Sequence, residues 1–430
     1  MYVGVDDTDS TEGMCTTYLA TELIREFSDF DLIGFPRLVR LNPNVPWKTR
    51  GNAAICVRLG KGTGNPRVIG NIDGKELVCY GTGRDAEPEK AHFKRATALI
   101  ERLAMFEDPK TNPGLAISAH KPPADLYWKA VREVVKLGPH LEHANPKFCH
   151  GWKNRRGLIG AVSAMAWRPL DRTYELIAYR EPKKWGTPRK VEAASVIAMD
   201  KKFPGTFNNY DYEEKHVAFS PSSPCPILYG IRGNAPDYLP AAMNTVKSEI
   251  IGRWLIFLTN QGTDDHIINA SISNLRPFTS ARIRGTIAGM PRIIGGGHLI
   301  FPITNGKKTV DCTVYEPAKN FRHVGEKLRP GDVITVMGAV RESPFTINVE
   351  KLFVEELATV IEKKANPLCG KCNKRMKSVG KGQGYKCARC GKKAKNSDAE
   401  FEVLDRGLKT GWYEPPVGAR RHISKPLKRG

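Results

Sequence analysis

Four cysteines near the C-terminus constrain this chain more than any other feature. Cys369-x2-Cys372 and Cys387-x2-Cys390 are separated by a 14-residue spacer. Two such knuckles bring four soft thiolates to the corners of a tetrahedron, the spacing and ligand set of a zinc ribbon. Gly370 and Gly391 sit where tight knuckle turns need small residues. With four protein thiolates the site is closed, so the zinc is structural and not catalytic. A redox role for paired CxxC dithiols calls for a thioredoxin-like βαβ frame, which the flanking sequence does not provide. The ribbon is predicted over 365–395. The other six cysteines (15, 56, 79, 149, 225 and 312) are scattered, as reduced and often buried thiols are in cytosolic chains.

The ribbon is also strongly basic. The whole chain carries a net charge of +22, and residues 363–430 hold 19 Lys and Arg against 5 Asp and Glu. Charge concentrated in this way points to a phosphate backbone as partner, and 396–430 reads as a basic C-terminal tail. The 430 residues predict about three domains. An apolar fraction of 40% excludes disorder throughout. The longest apolar runs, 158–167 and 254–258, fall far short of the ~20 residues of a membrane helix. The acidic start (Asp6, Asp7, Asp9) is unlike a signal peptide. A soluble, cytoplasmic protein with no membrane partner is expected.

Residues 275–360 are predicted to be nearly all strand: 282–288, 299–303, 309–315, 332–340 and 347–355, with a helix at 319–328. Five strands with a helix between the third and fourth follow the order of an OB-fold β-barrel, which commonly binds single-stranded nucleic acid. Upstream, 149–270 is predicted as a compact α+β domain. Strands are expected at 158–167, 174–179, 217–219 and 254–259, and helices at 191–199 and 240–248. That order permutes the β-α-β-β-α-β split.

The first block, 1–148, opens with a strand at 2–5 that runs into Asp6-Asp7-Thr8-Asp9-Ser10. Asp9 and Glu12 have capping-box spacing, predicting a helix start near 10–12. Strands at 35–41 and 53–59 and a helix at 88–107 follow. The glycine-rich stretch 60–86 is predicted to contain loops. Three carboxylates at a strand end, before a helix, suit a magnesium–nucleotide site, because Mg²⁺ takes one or two carboxylates plus substrate phosphates. The alternative is an ordinary acidic turn capping a helix. No Walker A motif and no kinase HRD or DFG motif occurs. Lys48, Arg50 and Lys121 lie in loops where they can neutralise phosphate or simply face solvent. Pro221 to Pro226 and Tyr229-Gly230-Ile231-Arg232-Gly233 rigidify a strand end, either as a site or as a plain turn.

Several long motifs together resemble one family. They include Val3-Gly4-Val5-Asp6-Asp7-Thr8-Asp9-Ser10, Gly13-Met14-Cys15-Thr16-Thr17-Tyr18, Lys48-Thr49-Arg50-Gly51-Asn52 and Lys110-Thr111-Asn112-Pro113-Gly114. Arg156-Gly157-Leu158-Ile159-Gly160-Ala161, 224–233 and Ala419-Arg420-Arg421-His422-Ile423-Ser424-Lys425-Pro426-Leu427 complete the set. They are similar to the archaeal tRNA(Ile) 2-agmatinylcytidine synthetases, the agmatidine synthases. The resemblance implies a kinase-like α/β domain, a ferredoxin-like α+β domain, an OB-fold and a zinc ribbon, in that order. It implies an ATP-dependent ligase whose partners are agmatine and the isoleucine tRNA with a CAU anticodon. The wobble cytidine is phosphorylated on O2, and the agmatine amine then attacks C2 and displaces phosphate. It assigns Asp6, Asp7 and Asp9 to Mg²⁺–ATP and Thr16 to autophosphorylation. Thr8, Ser10, Lys48 and Arg50 fall to phosphate binding. Pro204, Phe207, Cys225, Tyr229 and Gly230 are the agmatine candidates. Asn208 stands where the family pattern leads one to expect Asp. Two other readings of the residues stay open here: a non-catalytic RNA-binding protein, and a related ligase using another amine.

Overall fold

The structure, a computed structural model, describes residues 1–49 and 51–430; Arg50, a phosphate-binding candidate, lies outside the described residues. The first block contains β1 (Tyr2–Asp6), α1 (Thr16–Glu26), β2 (Asp31–Ile33), β3 (Arg37–Arg40), β4 (Ala53–Ile72) and β5 (Lys75–Asp85). It continues with α2 (Lys90–Leu103), β6 (Gly114–Ser118), α3 (Asp125–Arg132), α4 (Leu137–Ala144) and β7 (Phe148–Gly151). The second contains α5 (Gly157–Ala166), β8 (Thr173–Arg180), α6 (Ala193–Lys202), β9 (Thr206–Phe207), β10 (Tyr210–Asp211) and β11 (His216–Val217). It ends with β12 (Ile227–Gly233), α7 (Leu239–Thr245) and β13 (Ile251–Thr259).

These two blocks share one 11-stranded sheet, ordered β7-β6-β1-β4-β3-β13-β8-β12-β9, with β2 and β5 beside the far half of β4. The 20-residue β4 joins them: it pairs with β1 and β3 first, then with β13 near its end. Apolar side chains from α1, α2, α6 and α7 pack on one face of the sheet, and those of α3 and α5 on the other. Both faces are therefore covered, which explains why β1 is buried at every residue.

Three expectations about elements are corrected. Residues 158–167 are not a strand: α5 covers Gly157–Ala166 and is buried at nine of its ten positions. A short, wholly apolar run reads the same as a buried strand or a buried helix, since neither leaves a polar stripe. The second block thus begins α-β-α and not β-β-α. Residues 60–86 are not mainly loop but the long hairpin of β4 and β5. Its glycines permit close crossings: a Cβ on Gly62 would lie 2.2 Å from the Tyr80 ring, and one on Gly60 would lie 2.1 Å from the Arg84 carbonyl oxygen. Finally, α1 starts at Thr16 with Cys15 as N-cap, not near residue 10. Ser10 instead closes a turn, its N–H donating to the Gly13 carbonyl (3.1 Å) and its hydroxyl accepting from the Glu12 N–H (2.9 Å).

The third block holds β14 (Ile267–Asn269), β15 (Ser280–Ile287), β16 (Arg292–Ile294), β17 (His298–Thr304), β18 (Thr309–Val314), α8 (Asn320–Glu326), β19 (Val333–Val340) and β20 (Thr346–Glu356). The pairings β15–β17, β17–β18, β18–β20, β20–β19 and β19–β15 close a five-stranded barrel around its own core, with α8 between the third and fourth barrel strands. Beyond it come β21 (Ile361–Ala365), the small sheet of β22 (Lys377–Ser378), β23 (Tyr385–Lys386) and β24 (Lys393–Ala394), then β25 (Glu400–Val403) and β26 (Gly411–Tyr413). Arg406 anchors this segment to the barrel, donating to both carboxylate oxygens of the fully buried Asp332 (2.7 and 2.9 Å).

The last twenty residues fold back over all of this. β26 adds to β20 of the barrel. The Gly418 N–H then donates to Asp211 (2.9 Å), and Arg420 donates to the Asn208 carboxamide oxygen (3.0 Å). An amide oxygen suffices for that contact, so the missing carboxylate at position 208 leaves Arg420 held. Ile423 is buried among the α3 and α5 side chains, and Arg429 is paired to Asp171 (3.0 Å). The tail that the sequence suggests as a phosphate grip is in large part a strap across three blocks.

Candidate active site

The acidic loop forms where β1 ends. Asp6 is buried, and its carboxylate accepts the Asp7 N–H (2.8 Å). Asp7 has a left-handed backbone (φ 58°), a strained geometry for a residue with a Cβ. Its Oδ2 accepts the Asn112 N–H (3.0 Å), which ties the loop to Lys110-Thr111-Asn112. The Thr111 hydroxyl donates to the Asp9 carbonyl (2.6 Å), and the Thr49 hydroxyl to the Asp9 carboxylate (3.3 Å).

Helix α5 explains the Gly157-x2-Gly160 spacing. A Cβ on Gly160 would lie 1.8 Å from Asp6 Oδ2, and one on Gly157 would lie 2.4 Å from the Gly114 nitrogen. The helix thus lies against β1 and β6 at backbone contact, with its first turn beside the carboxylates. Burial, then the neighbouring Asp7, holds the Asp6 carboxyl well above the usual carboxylate range. Burial, partly offset by the hydrogen bond from Asn112, pushes Asp7 up to about 7. Arg156, at the start of α5, is the nearby cation that favours the ionised form of Asp7, and its guanidinium lies over the Trp47 ring (4.0 Å). Asp6, Asp7, Asp9, Lys48, Thr49 and Arg156 all line one open cleft of about 710 Å³.

Asp9 also lines a second, larger cleft of about 1270 Å³. Its floor is one face of the sheet, where alternate residues of three strands point the same way: Leu38 and Arg40 on β3, Glu175 and Ile177 on β8, Gly230 and Arg232 on β12. Gly230 is required here, since a Cβ would lie 2.5 Å from Glu175 Oε1. Arg232 donates to Glu175 (3.0 Å), as does Gln261, whose own oxygen accepts from Arg40 (3.2 Å). Thr16 and Cys15 form another edge, residues 218–223 a wall, and His422 of the tail strap closes the end. Arg40 and burial together push the His422 imidazole well below its usual value, so it is neutral. Thr16 is buried, its hydroxyl accepting from Thr8 (3.1 Å).

The other candidates are placed as follows. Thr8 and Ser10 are buried and line neither cleft; they shape the acidic loop. Lys48 donates to the Pro43 carbonyl at the rim of the first cleft. Lys121 lies by the Tyr2 ring (6.0 Å), at the opposite end of β1 from Asp6. Of the five agmatine candidates, Cys225 and Gly230 line the second cleft. Tyr229 points to the other face of the sheet, into the core against Phe219 (5.0 Å). Phe207 is buried beneath Arg429 and Gly262, and neither it nor Pro204 reaches the cleft. Sequence reasoning missed Arg156, Arg40, Glu175 and His422. Arg156 and His422 lie within the quoted motifs, whereas Arg40 and Glu175 carry no local signal.

Among the described residues, the four ribbon cysteines are the set of three or more Cys, His, Asp or Glu whose ligand atoms converge, all within 4.8 Å. Their chemistry fits zinc. Backbone N–H groups of Cys390 and Arg389 pull the Cys387 thiol down to about 6, favouring the thiolate that zinc binds. The ribbon's apolar core is only Cys369, Met376, Tyr385, Cys387 and Ala399, too little to fold unaided. Chelation is expected to release one zinc per chain and open 366–408 to protease while 1–355 stays resistant. A ribbon equally resistant after zinc loss is the contrary result. The three aspartates do not converge as the cysteines do. Their oxygen donors fit Mg²⁺, for which two carboxylates and substrate phosphates are enough.

Comparison with known proteins agrees with this geometry. Family models match in chain order: the TiaS TCKD domain over residues 2–148, the TiaS FLD domain over 155–266, an OB-fold nucleic acid binding domain over 281–355 and the TiaS C-terminal zinc ribbon domain over 366–408. The chain is 40% identical to the tRNA(Ile) 2-agmatinylcytidine synthetase TiaS of Methanosarcina acetivorans, over 100% of this chain and 97% of the relative. It is 41% identical to that of Archaeoglobus fulgidus, with the same coverage. The chain belongs to the tRNA(Ile) 2-agmatinylcytidine synthetase family. The fold is that of TiaS in complex with its isoleucine tRNA and ATP (TM-score 0.85, 38% identity) and of TiaS in complex with that tRNA, AMPCPP and agmatine (TM-score 0.81, 35% identity), each covering 100% of this chain and 97% of the other. No helix among the described residues is long and apolar enough to cross a membrane.

Proposed function

We propose that this chain is an ATP-dependent ligase that joins agmatine to C2 of the wobble cytidine of CAU-anticodon isoleucine tRNA, forming agmatidine. The observation that carries the reading is the pair of clefts meeting at Asp9, in a chain whose full-length relatives are named for this activity. The proposed division of labour follows 1–148 for ATP, 149–270 for the amine, 275–360 with 365–395 for tRNA, and 396–430 as strap.

The first cleft suits the triphosphate. Asp6 and Asp7 would hold Mg²⁺, which supplies neutralisation of phosphate charge. Lys48 and Arg156 flank the carboxylates and complement the phosphate oxygens. The second cleft suits the cytidine and amine. A cytosine C2 carbonyl is a poor electrophile, and phosphate on O2 makes it a good leaving group. Arg40 and Arg232 supply positive charge on that side, and Glu175 is the carboxylate that attracts a cationic amine. The target base must leave the anticodon stack to reach either cleft. Thr16, beside Asp9, is placed to take a phosphoryl group at the junction.

The test uses purified protein, ATP, Mg²⁺, radiolabelled agmatine and the CAU-anticodon isoleucine tRNA. Label entering the tRNA only with ATP present is the expected outcome. Tight tRNA binding without incorporation rejects agmatine as substrate, and other labelled amines then distinguish a related ligase from a binding protein.

A further inference from the structure

A third cavity, of about 760 Å³, lies between the barrel and the strap and has no part in the chemistry above. Its walls include Tyr315 at the end of β18, Pro317, Pro415 from the strap, and Asn348 on β20. Asn348 Oδ1 is buried and has no hydrogen-bond partner among the described residues. An unpaired buried carbonyl is costly, so a side chain left this way beside a cavity marks a place for a donor. The ionic groups of the cavity, by contrast, are already matched. Glu350 pairs with His266 (2.9 Å) and Arg421 (3.4 Å), Arg420 with Glu414 (3.0 Å), and Lys351 with Asp264. What the cavity offers a ligand is flat walls and one carboxamide. That combination recognises an unstacked nucleobase, and Asn matches the paired donor and acceptor on an adenine edge.

Its position fixes which base. Arg421 lines this cavity, and the next residue, His422, lines the second cleft. Arg421 also donates to Asn44 (2.7 Å), in the loop that carries Lys48 and Thr49 to the first cleft. One strand of chain therefore separates the two cavities. A base in one and its neighbour in the other is the spacing that successive splayed nucleotides require.

We propose that the cavity between Tyr315, Pro415 and Asn348 seats the adenine that follows the target cytidine in the CAU anticodon, with Asn348 reading its edge. This inference rests on the function proposed above. The test measures kcat/KM for agmatine incorporation with wild-type and Asn348→Ala protein. The tRNA carries either adenine or unsubstituted purine, which lacks the amino group, at that position. Wild-type protein is expected to lose about tenfold with purine, the scale of one buried hydrogen bond. Asn348→Ala is expected to lose about tenfold with adenine and nothing further with purine, with the loss in KM. Additive losses, or wild-type behaviour of the variant, overturn the inference. Asn348→Asp, of the same volume, repeats the test if the alanine variant melts early. If the wild-type protein incorporates no label into native tRNA, it is the ligase reading itself that fails.

Discussion

Asp7→Asn abolishes turnover, by at least about 10³-fold, while tRNA affinity stays as in the wild type. The substitution is nearly isosteric, and Asn tolerates the left-handed backbone of this position (φ 58°) as well as Asp does. Its side-chain oxygen can still accept the Asn112 N–H that now holds Asp7 Oδ2. The change thus removes charge and leaves shape, and with it half of the proposed Mg²⁺ ligation. Stability should move the other way. The folded-state Asp7 carboxyl lies near 7 because of burial, well above its unfolded value of about 4. Between those values the unfolded chain has released the proton and the folded chain keeps it, so the wild type loses stability as pH rises from about 4 to 7. Asn removes that penalty, and without metal its melting temperature should exceed the wild type's at pH 8. The gain, on the order of 2 kcal/mol after solvent screening, should vanish below pH 4. A variant both inactive and less stable would identify Asp7 as a structural residue; one that turns over normally would remove it from the site.

Gly160→Ala is expected to be at least as damaging, against the usual rule. In the interior of a helix this change normally gains up to about 1 kcal/mol, because alanine restricts the unfolded chain and favours the helix. Here the new methyl would sit 1.8 Å from Asp6 Oδ2 and 2.5 Å from its Cγ. Asp6 has no room to retreat: it is buried at the end of β1, which pairs with β4 and β6. Either α5 moves off the sheet or the carboxylate leaves the cleft. Overpacking of this kind costs about 1–3 kcal/mol, and the displaced carboxylate should abolish turnover. A second change separates the two effects. Asp6→Ala in the Gly160→Ala background removes the atoms that clash, so much of the stability should return while activity does not. Losses that simply add would place the damage elsewhere in α5.

The chemistry of these residues was legible early, and their assembly was not. The cysteine quartet needs no tertiary context, because four thiolates at ribbon spacing admit one geometry. The barrel strands could be placed in order because each alternates and is bounded by turn residues. The run Gly157 to Ala166 gave no such purchase: with both sides buried it carries no periodicity, and only packing against β1 decides that it is a helix. Tyr229 and Gly230 are neighbours in one motif, yet the pleat of β12 sends one into the core and the other to the cleft.

The sequence by itself determined the zinc module, the barrel, the acidic loop and, through long motifs, the family. Those signals are local: spacing, alternation and composition survive in a linear string. Tertiary structure alone decided that Arg40, Glu175 and Arg232 share a floor, that the C-terminal strap brings His422 to the cleft and Arg421 to its neighbour, and that Gly160 guards Asp6. Strand partners and returning tails bring together residues over a hundred positions apart. Register and backbone approach, which no stretch of sequence encodes alone, set which of their side chains meet.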